Sequence, residues 1–383
     1  MRLGVAVLGS TGSIGRSALS VLSRHPDRFR VVALSAHRRA RELEAQVARF
    51  RPDLAVLVEE AAYREAARRP PTEWRHGRAG LLEAATHPEV DVVLNAVVGA
   101  AGLEATLAAL RAGKRLALAN KESLVVGGPL VLDALREGVG ELVPVDSEHS
   151  AILQCLQGSR PADVRKLVLT ASGGPFRNWP AEALHSVTPE QALRHPTWEM
   201  GAKITIDSAT LANKALEVIE AHFLFGVEYE RITVVVHPQS IIHSMVEFKD
   251  GSVLAQMGFP SMELPILYAL TYPDRIHDTG TAFDPIAAGP LSFEALDCER
   301  FPAFRLGVLA GREGGTMPAV FNAANEVAVS AFLAGHLPFP GIAEVIERVL
   351  ADRPWTPADS IEGVVEADRA ARALARTIVE HRC

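Results

Sequence analysis

The feature that most constrains the fold is a glycine turn near the N-terminus, formed by Gly9, Gly12 and Gly15. Glycines at this spacing let the backbone approach a pyrophosphate at the start of a helix, where free N–H groups favour an anion. Strand, glycine turn, helix and strand is the opening unit of a dinucleotide-binding fold. An ordinary tight turn is the alternative. The flanking strand, helix and strand patterns span residues 3–8, 14–22 and 30–35.

The end of the second predicted strand indicates which dinucleotide is bound. Binders of NAD place an acidic residue there to hold the ribose 2′-hydroxyl, whereas binders of NADP use basic groups for the 2′-phosphate. This chain reads Ala36-His37-Arg38-Arg39, with two arginines and no carboxylate. The sequence therefore predicts NADPH. The alternative is that both arginines face solvent in the first turn of a helix over residues 38–50.

Strand and helix patterns continue to alternate beyond this unit, which predicts a parallel, doubly wound sheet. Ligands of such sheets bind at the carboxyl ends of the strands. Two polar clusters occupy such ends, Asn120-Lys121-Glu122 and Asp146-Ser147-Glu148-His149. The further predicted strands span residues 54–58, 92–98, 115–119 and 141–145, with helices over residues 103–111 and 130–137.

Three carboxylates are candidates for a metal site. Asp146 and Glu148 stand two apart where a strand gives way to a helix. They can converge on one ion, or they can serve as a helix N-cap and its first-turn acid. Glu217 lies on a predicted helix that starts at Asp207 or Ser208 and runs to about residue 224. Oxygen ligands without Cys or His suit Mg²⁺ or Mn²⁺.

Polar side chains around this helix suit a phosphate. Asn213 and Lys214 share the face of Glu217, at spacings of four and three residues. Ser208 at the predicted helix start and the turn Ser172-Gly173-Gly174-Pro175, which follows a predicted strand over residues 166–170, add hydroxyl and N–H groups. A solvated ion pair and a simple turn are the alternatives.

A loop bounded by proline and glycine precedes that helix and reads His195-Pro196-Thr197-Trp198-Glu199-Met200-Gly201. Its two large apolar residues, Trp198 and Met200, favour a lid that covers a ligand. The alternative is a loop packed by its own aromatic residue.

Composition excludes several classes of protein. Three cysteines without CxxC spacing exclude a disulfide framework and a thiolate zinc site, and they fit a reducing compartment. The net charge of −7 argues against nucleic-acid binding. No uncharged apolar run approaches the roughly 18 residues of a membrane span. We therefore expect a cytoplasmic protein that binds neither nucleic acid nor membrane, and we interpret His237 and His243 as structural.

The motifs occur together and in an order that closely resembles the 1-deoxy-D-xylulose 5-phosphate reductoisomerase family of non-mevalonate isoprenoid synthesis. The resemblance covers nearly the whole chain. It rests on Gly9–Gly15, Asn120–Glu122, Val145–His149, Ala171–Arg177, His195–Gly201, Asp207–Thr210, Asn213–Glu217, His237–Ser240, His243–Glu247 and Asn322–Val327.

The resemblance implies an NADPH-dependent enzyme that also needs Mg²⁺ or Mn²⁺. Its substrate is a small phosphorylated sugar, deoxyxylulose phosphate, which rearranges to an aldehyde that NADPH reduces to methylerythritol 4-phosphate. The family is dimeric, so a homodimer is expected. The expected α/β architecture has a Rossmann-like domain over residues 1–146, an α/β catalytic domain over 147–272 with a lid at 194–203, a connector over 273–300 and a C-terminal helical bundle over 301–383.

The resemblance also implies roles for individual residues. The metal ligands are Asp146, Glu148 and Glu217. The substrate's phosphate meets Ser172, Ser208, Asn213 and Lys214. Its other oxygens meet Lys121, Ser147, Glu148 and His195, of which Lys121, Glu148 and His195 are catalytic, and Trp198 and Met200 form the lid. NADPH contacts Thr11, Gly12, Ser13, Ile14, Ala36, His37, Arg38, Arg39, Asn120, Glu122 and Gly201.

Two positions depart from the family pattern. His37 replaces a glycine beside the adenosine contacts, and Ser261 replaces an aspartate, so Ser261 receives no role. Two other functions remain open. One is another NADP-dependent reductase of a small phosphorylated or semialdehyde substrate. Semialdehyde and acyl-phosphate reductases need a nucleophilic cysteine, but Cys155 lies in an apolar helical pattern that favours burial. A non-catalytic NADPH-binding module has no need of three carboxylates and a phosphate pocket.

Overall fold

The computed structural model describes residues 2–198, 200–278, 282–352 and 354–381. The chain divides into two compact units. The first comprises residues 1–123, 131–150 and 261–281, and the second comprises residues 124–130, 151–260 and 282–383. The four-part division that we expect from the sequence stays a prediction.

The first unit contains a seven-stranded sheet, formed by β1 (Leu3–Leu8), β2 (Phe29–Ala36), β3 (Leu54–Leu57), β4 (Glu73–His76), β5 (Val92–Asn95), β6 (Arg115–Leu118) and β7 (Glu141–Pro144). The strands are parallel, in the order β4-β3-β2-β1-β5-β6-β7. Burial on both faces explains why β1, β3 and β5 read as continuous apolar runs. The order of strands reverses at β1, directly before Gly9, which is where such sheets bind their ligands.

The predicted strand over residues 92–98 is too long. The structure ends β5 at Asn95, whose Oδ1 accepts a hydrogen bond from the N–H of Val97 at 3.2 Å. This local bond turns the chain out of the sheet although the apolar run continues to Val98.

The helices of the first half of the chain are α1 (Ser13–Arg24), α2 (Ala40–Phe50), α3 (Glu60–Glu65), α4 (Gly77–Thr86), α5 (Leu103–Arg111), α6 (Lys121–Glu137) and α7 (Ser147–Cys155). The sequence predicts only the second part of α6, over residues 130–137. The structure starts α6 at Lys121 because Asn120 caps it, and the backbone of Gly127 leaves the helical conformation midway.

The second unit contains a mixed sheet, formed by β8 (Val164–Ala171), β9 (Ile232–Val236), β10 (Ile242–Phe248), β11 (Val253–Met257) and β12 (Glu294–Ala295). Its order is β11-β10-β8-β9-β12, and only β8 and β9 run parallel. Of these strands the sequence predicts only β8, over residues 166–170.

The remaining helices are α8 (Pro189–Ala192), α9 (Ala202–Thr210), α10 (Ala212–Phe225), α11 (Glu263–Thr271), α12 (Pro302–Glu313), α13 (Met317–Leu333), α14 (Gly341–Ala351) and α15 (Ile361–Glu380). The last four lie within residues 301–383, where the sequence predicts helices. The α/β class, with a parallel N-terminal sheet, a second sheet and C-terminal helices, is therefore confirmed. Within the described ranges, every helix is either too short or too polar to cross a membrane.

Candidate functional site

The glycine turn of the first unit requires glycine at two of its positions. Gly9 has a φ of +81°, and a Cβ on it would lie 2.5 Å from the carbonyl oxygen of Ala96. A Cβ on Gly15 would lie 2.4 Å from the carbonyl oxygen of Gly9. Gly12 occupies the N-cap of α1 without a side-chain capping bond. The first amides of α1 therefore have no side-chain cap at the place where a pyrophosphate binds in this fold.

The two arginines after β2 lie before α2, not in its first turn, because α2 begins at Ala40. Arg39 Nη1 donates a hydrogen bond to the carbonyl oxygen of Thr11 at 2.9 Å, so this side chain ties the end of β2 to the glycine turn. About half of the Arg39 side chain is exposed, and Arg38 is exposed as well. Both arginines are thus accessible from solvent beside the turn.

Asn120 acts as a clip at the carboxyl end of β6. Its Oδ1 accepts from the N–H of Ser123 at 2.9 Å, and its Nδ2 donates to the carbonyl oxygens of Val97 and Gly99 at 2.7 and 2.9 Å. Its Nδ2 also donates to Glu122 Oε2 at 3.0 Å. The side chains of Asn120 and Glu122 are both buried. The amide of Asn120 therefore fixes the loop after β5 against the start of α6.

Asp146 caps α7, and this confirms the structural role that the spacing leaves open. Its Oδ1 accepts from the N–H groups of Glu148 and His149 at 3.0 and 3.4 Å. Its Oδ2 is bonded to the ammonium of Lys121, which is itself nine-tenths buried. Ser147 Oγ donates to Glu148 Oε2 at 2.6 Å. Two carboxylates, one hydroxyl and one ammonium thus meet at one end of the sheet of the first unit.

His195 joins two serine hydroxyls in the second unit. Its Nε2 lies 3.0 Å from Ser172 Oγ and 3.1 Å from Ser208 Oγ. Its Nδ1 accepts from the N–H groups of Thr197 and Trp198 at 3.1 and 2.9 Å. Because Nδ1 is an acceptor, the proton of a neutral ring sits on Nε2 and is donated toward the serine oxygens.

The environment keeps His195 neutral. Burial lowers the pKa of its imidazole from 6.5 to about 4, since desolvation disfavours the charged form. Ser172 Oγ also accepts from the N–H of Gly174 at 3.2 Å, in a turn where Gly173 and Gly174 have φ angles of +83° and +70°. The single N–H of Nε2 is shared between the two serine oxygens, which leaves both hydroxyl hydrogens able to donate to another acceptor, such as a phosphate oxygen.

The predicted helix from Asp207 or Ser208 to residue 224 is wrong, because the structure breaks it into α9 and α10. Both residues lie in the last turn of α9, and Leu211 between the helices has a φ of +62°. No residue type in the sequence signals this break, since leucine strongly favours helices and avoids the left-handed region. Leu211 is therefore a site-shaping residue that the sequence analysis misses.

The face of α10 carries the predicted polar triad. Asn213 Nδ2 donates to Glu217 Oε1 at 2.5 Å, and the ammonium of Lys214 is bonded to Glu217 Oε2. Lys214 and Glu217 are 5% and 1% exposed, so the alternative of a solvated ion pair is wrong. Burial of this ion pair contributes little to stability, because the cost of desolvating both charges offsets much of their attraction.

The loop before α9 places its residues as follows. Trp198 is half-buried, with its ring centre 6.3 Å from that of His243, and Met200 is half-buried as well. Gly201 is the exposed N-cap of α9, and Glu199 lies outside the described residues. The loop, which begins with His195, belongs to the second unit. Its action as a lid stays a prediction.

Cys155 is buried, as the sequence analysis expects, and burial raises the pKa of its thiol to about 11. A thiol with this pKa is protonated at neutral pH and is a poor nucleophile. His237 is structural as expected, because its Nδ1 faces the carbonyl oxygen of Ser292 at 2.9 Å and its Nε2 accepts from the N–H of Ile241 at 3.1 Å.

A dinucleotide-type sheet with arginines after β2, together with hydroxyl and ammonium groups of the kind that hold a phosphate, is typical of an NADP-dependent oxidoreductase. Family models agree with this class along most of the chain. The model described as 1-deoxy-D-xylulose 5-phosphate reductoisomerase matches residues 5–128, and the model of its C-terminal domain matches residues 142–225. A third, described as the DXP reductoisomerase C-terminal domain, matches residues 257–374.

Curated relatives and solved structures give the same result. The 1-deoxy-D-xylulose 5-phosphate reductoisomerase of Symbiobacterium thermophilum is 54% identical, with 98% of each chain covered. The structure of the Zymomonas mobilis enzyme in complex with NADPH is 44% identical, with a TM-score of 0.93 and 99% and 100% of the chains covered. A complex with NADPH, fosmidomycin and magnesium is 38% identical, with a TM-score of 0.93 and 99% and 98% covered.

The chain therefore belongs to the 1-deoxy-D-xylulose 5-phosphate reductoisomerase family. The family resemblance of the sequence and the expected class of oxidoreductase are confirmed.

Proposed function

We propose that this chain converts 1-deoxy-D-xylulose 5-phosphate to 2-C-methyl-D-erythritol 4-phosphate with NADPH and a divalent cation, as a step of isoprenoid synthesis. The observation that carries the proposal is the His195 cluster, in which one imidazole nitrogen lies within hydrogen-bond distance of two serine hydroxyls that suit a phosphate. Relatives solved with NADPH and with magnesium support the two cofactors.

NADPH fits the first unit. The glycines permit close approach of the backbone, the start of α1 has no side-chain cap, and the arginines after β2 suit the 2′-phosphate. We assign to the cofactor Thr11, Gly12, Ser13, Ile14, Ala36, His37, Arg38, Arg39, Asn120, Glu122 and, beside the nicotinamide, Gly201.

A magnesium ion fits the carboxylate donors. Asp146 and Glu148 project from the same helix end of the first unit, and Glu217 is buried on α10 of the second. We assign all three as ligands, because hard oxygen donors match Mg²⁺ and also Mn²⁺. When bound, the ion would polarise the substrate carbonyl and orient the neighbouring hydroxyls.

The substrate's phosphate is assigned to Ser172, Ser208, Asn213 and Lys214. The ammonium of Lys214 supplies charge, and the serine hydroxyls supply hydrogen bonds with fixed direction. Binding energy gained at this remote group can be used to orient the reacting carbons and to close the loop that carries Trp198 and Met200.

The other oxygens of the substrate are assigned to Lys121, Ser147, Glu148 and His195. Lys121 is held by Asp146, and its buried ammonium can stabilise negative charge that develops on a substrate oxygen during rearrangement. His195 lies beside the phosphate-binding serines, and its imidazole does not take up a proton near neutral pH because burial lowers its pKa to about 4.

The direct test is NADPH consumption with deoxyxylulose phosphate, with Mg²⁺ and with a chelator. We expect turnover that stops on chelation and returns with Mg²⁺. Glu217→Gln should abolish turnover and leave NADPH binding intact. The matched control is Glu247→Gln. Glu247 lies on β10 of the same unit, and its carboxylate is paired with Arg165 and Lys166 on β8. No consumption with metal present would refute the proposal.

We further propose that the protein is a cytoplasmic homodimer. Strand β11 is at the edge of the second sheet and exposes Val253, Leu254 and Met257. An open edge with apolar side chains is usually covered in a stable protein, which supports the dimer. The cytoplasmic location is supported separately by the free thiols of Cys155 and Cys298, which suit a reducing compartment. Sedimentation velocity should give about twice the chain mass of 41.1 kDa, and Leu254→Lys should shift it toward the monomer.

A further inference from the structure

The junction between α9 and α10 is strained and lies within the phosphate cluster. This name denotes the residues assigned to the substrate's phosphate, which are Ser172, Ser208, Asn213 and Lys214. Leu211 has a φ of +62° and is buried, and a left-handed conformation is unfavourable for a leucine. Ser208 comes before this junction, and Asn213 and Lys214 come after it. The angle between the two helices therefore decides whether the hydroxyl of Ser208 and the ammonium of Lys214 face the same anion.

A buried polar chain holds α9 in place from the C-terminal helices. Asn325 Nδ2, on α13, donates to Asp207 Oδ1 at 2.8 Å. Lys203 Nζ lies 2.9 Å from Asp207 Oδ2, one turn earlier on α9. Asp207 and Asn325 are 1% and 0% exposed. A carboxylate at this depth is expensive to desolvate, so its hydrogen bonds strongly favour one orientation of α9.

The junction itself has one further brace. Thr210 Oγ1 donates to the carbonyl oxygen of Asp207 at 3.2 Å and accepts from the N–H of Ala212 at 3.3 Å. This brace links the last turn of α9 to the first turn of α10 but bonds to neither α13 nor the sheet. The bond from Asn325 to Asp207, in contrast, is a side-chain hydrogen bond that anchors this segment to α13.

We propose that Asn325 is a positioning residue for the substrate's phosphate. By fixing Asp207, Asn325 fixes the last turn of α9, and the adjacent Ser208 keeps its Oγ 3.1 Å from His195 Nε2. Loss of the anchor lets α9 turn about the junction, and Ser208 then leaves the geometry in which it donates to an anion. The inference rests on the proposed assignment of Ser208 and Lys214 to the phosphate.

The test begins with Asn325→Asp, which places a second carboxylate against Asp207 without changing the volume. We expect the KM for deoxyxylulose phosphate and the inhibition constant of inorganic phosphate to rise about tenfold or more. The Kd of NADPH should stay unchanged. The double variant Asn325→Asp with Asp207→Asn restores a donor opposite an acceptor, so both constants should recover toward those of the parent.

Asn322→Asp is the matched control. Asn322 lies one turn earlier on α13, is 0% exposed, and its Nδ2 donates to Glu326 Oε1 at 3.1 Å. The same substitution there places a new carboxylate beside that of the half-buried Glu326 and destabilises the helix, but it leaves the bond from Asn325 to Asp207 in place. We expect a lower unfolding temperature with an unchanged phosphate constant. An equal rise in that constant, or no rescue in the double variant, would overturn the positioning role.

Two further variants separate this inference from the proposed function. Ser208→Ala and Lys214→Ala should each raise the inhibition constant of inorganic phosphate if the cluster binds that group. If both leave it unchanged, the phosphate assignment itself is wrong. If both raise it and Asn325→Asp does not, the assignment stands and the positioning role of Asn325 is refuted.

Discussion

Replacing His195 separates its two hydrogen-bonding duties. The Nδ1 atom accepts from the backbone of its own loop, at Thr197 and Trp198, whereas Nε2 donates toward Ser172 and Ser208. An asparagine places its amide group near the position of Nδ1, and a glutamine reaches the position of Nε2. His195→Asn therefore keeps the loop contacts and loses the serine contacts, and His195→Gln does the reverse.

The magnitude follows from the bonds that each variant removes. Hydrogen bonds between neutral groups contribute about 0.5–1.5 kcal/mol, so loss of the one N–H that the two serines share costs about 0.5–1.5 kcal/mol of organised binding. For His195→Asn this corresponds to a rise of about 2- to 13-fold in the KM for deoxyxylulose phosphate. His195→Gln keeps a donor to the serines, so its KM should rise less, while the loop loses order.

Steady-state kinetics with both variants, together with NADPH fluorescence titrations, measure this difference. NADPH affinity is expected to be equal in all three proteins because the assigned cofactor residues other than Gly201 lie in the first unit. A larger KM for His195→Gln than for His195→Asn would show that the loop contacts, and not the serine contacts, carry the effect. That result would refute the role of His195 in directing the hydroxyls.

The lowered pKa of His195 adds a dependence of stability on pH. Between pH 6.5 and about 4 the unfolded chain binds a proton at this histidine that the folded chain rejects. The contribution to stability is therefore complete above pH 6.5 and is lost as the pH falls through about 4. In urea unfolding, His195→Asn should flatten the dependence of the unfolding free energy on pH in this window. If the unfolding free energy of His195→Asn depends on pH as steeply as that of the parent, the imidazole of His195 is not held in its neutral form by burial.

Two predictions concern the cofactor turn. Replacing Arg38 and Arg39 together with alanine should reduce the preference for NADPH over NADH about tenfold or more, since charge-assisted bonds to a 2′-phosphate are lost; an unchanged ratio of kcat/KM for the two cofactors would support arginines that only face solvent. Gly15→Ala should lower the free energy of unfolding by about 1–3 kcal/mol and weaken NADPH binding, because its Cβ would meet the carbonyl oxygen of Gly9 at 2.4 Å. Gly12→Ala, whose Cβ would lie 3.3 Å from the same oxygen, is the comparison and should cost less in urea unfolding.

The first sheet is predictable from sequence because each of its signals is local. Strands buried on both faces give short continuous apolar runs, and the Gly9 turn marks the reversal of strand order. The second sheet is different. Strand β10 pairs with β8, more than seventy residues earlier, through contacts such as Ser244 with Leu169. Its outer neighbour β11 is largely exposed, so neither strand has a local pattern that identifies its partner.

The site divides in the same way. The chemical types of the phosphate and carboxylate groups can be read from motifs, since Ser172, Lys214 and Glu217 follow from residue type and spacing. Their state cannot. That Lys214 and Glu217 are almost fully buried, and that the proton of His195 is on Nε2, depend on neighbours that no local pattern specifies.

Leu211 shows why the helix break is invisible to sequence. Leucine is a good helix former and the apolar spacing continues across it, so every local preference favours one uninterrupted helix. A local preference worth about 1–3 kcal/mol is overridden only by tertiary contacts of similar size. The buried bond from Asn325 to Asp207 is such a contact, because a hydrogen bond to a charged group contributes about 1.5–3 kcal/mol. As we propose, the shape of the phosphate cluster depends on a residue more than one hundred positions away, so substitutions at Asn325 should change substrate binding without altering any group assigned to contact it.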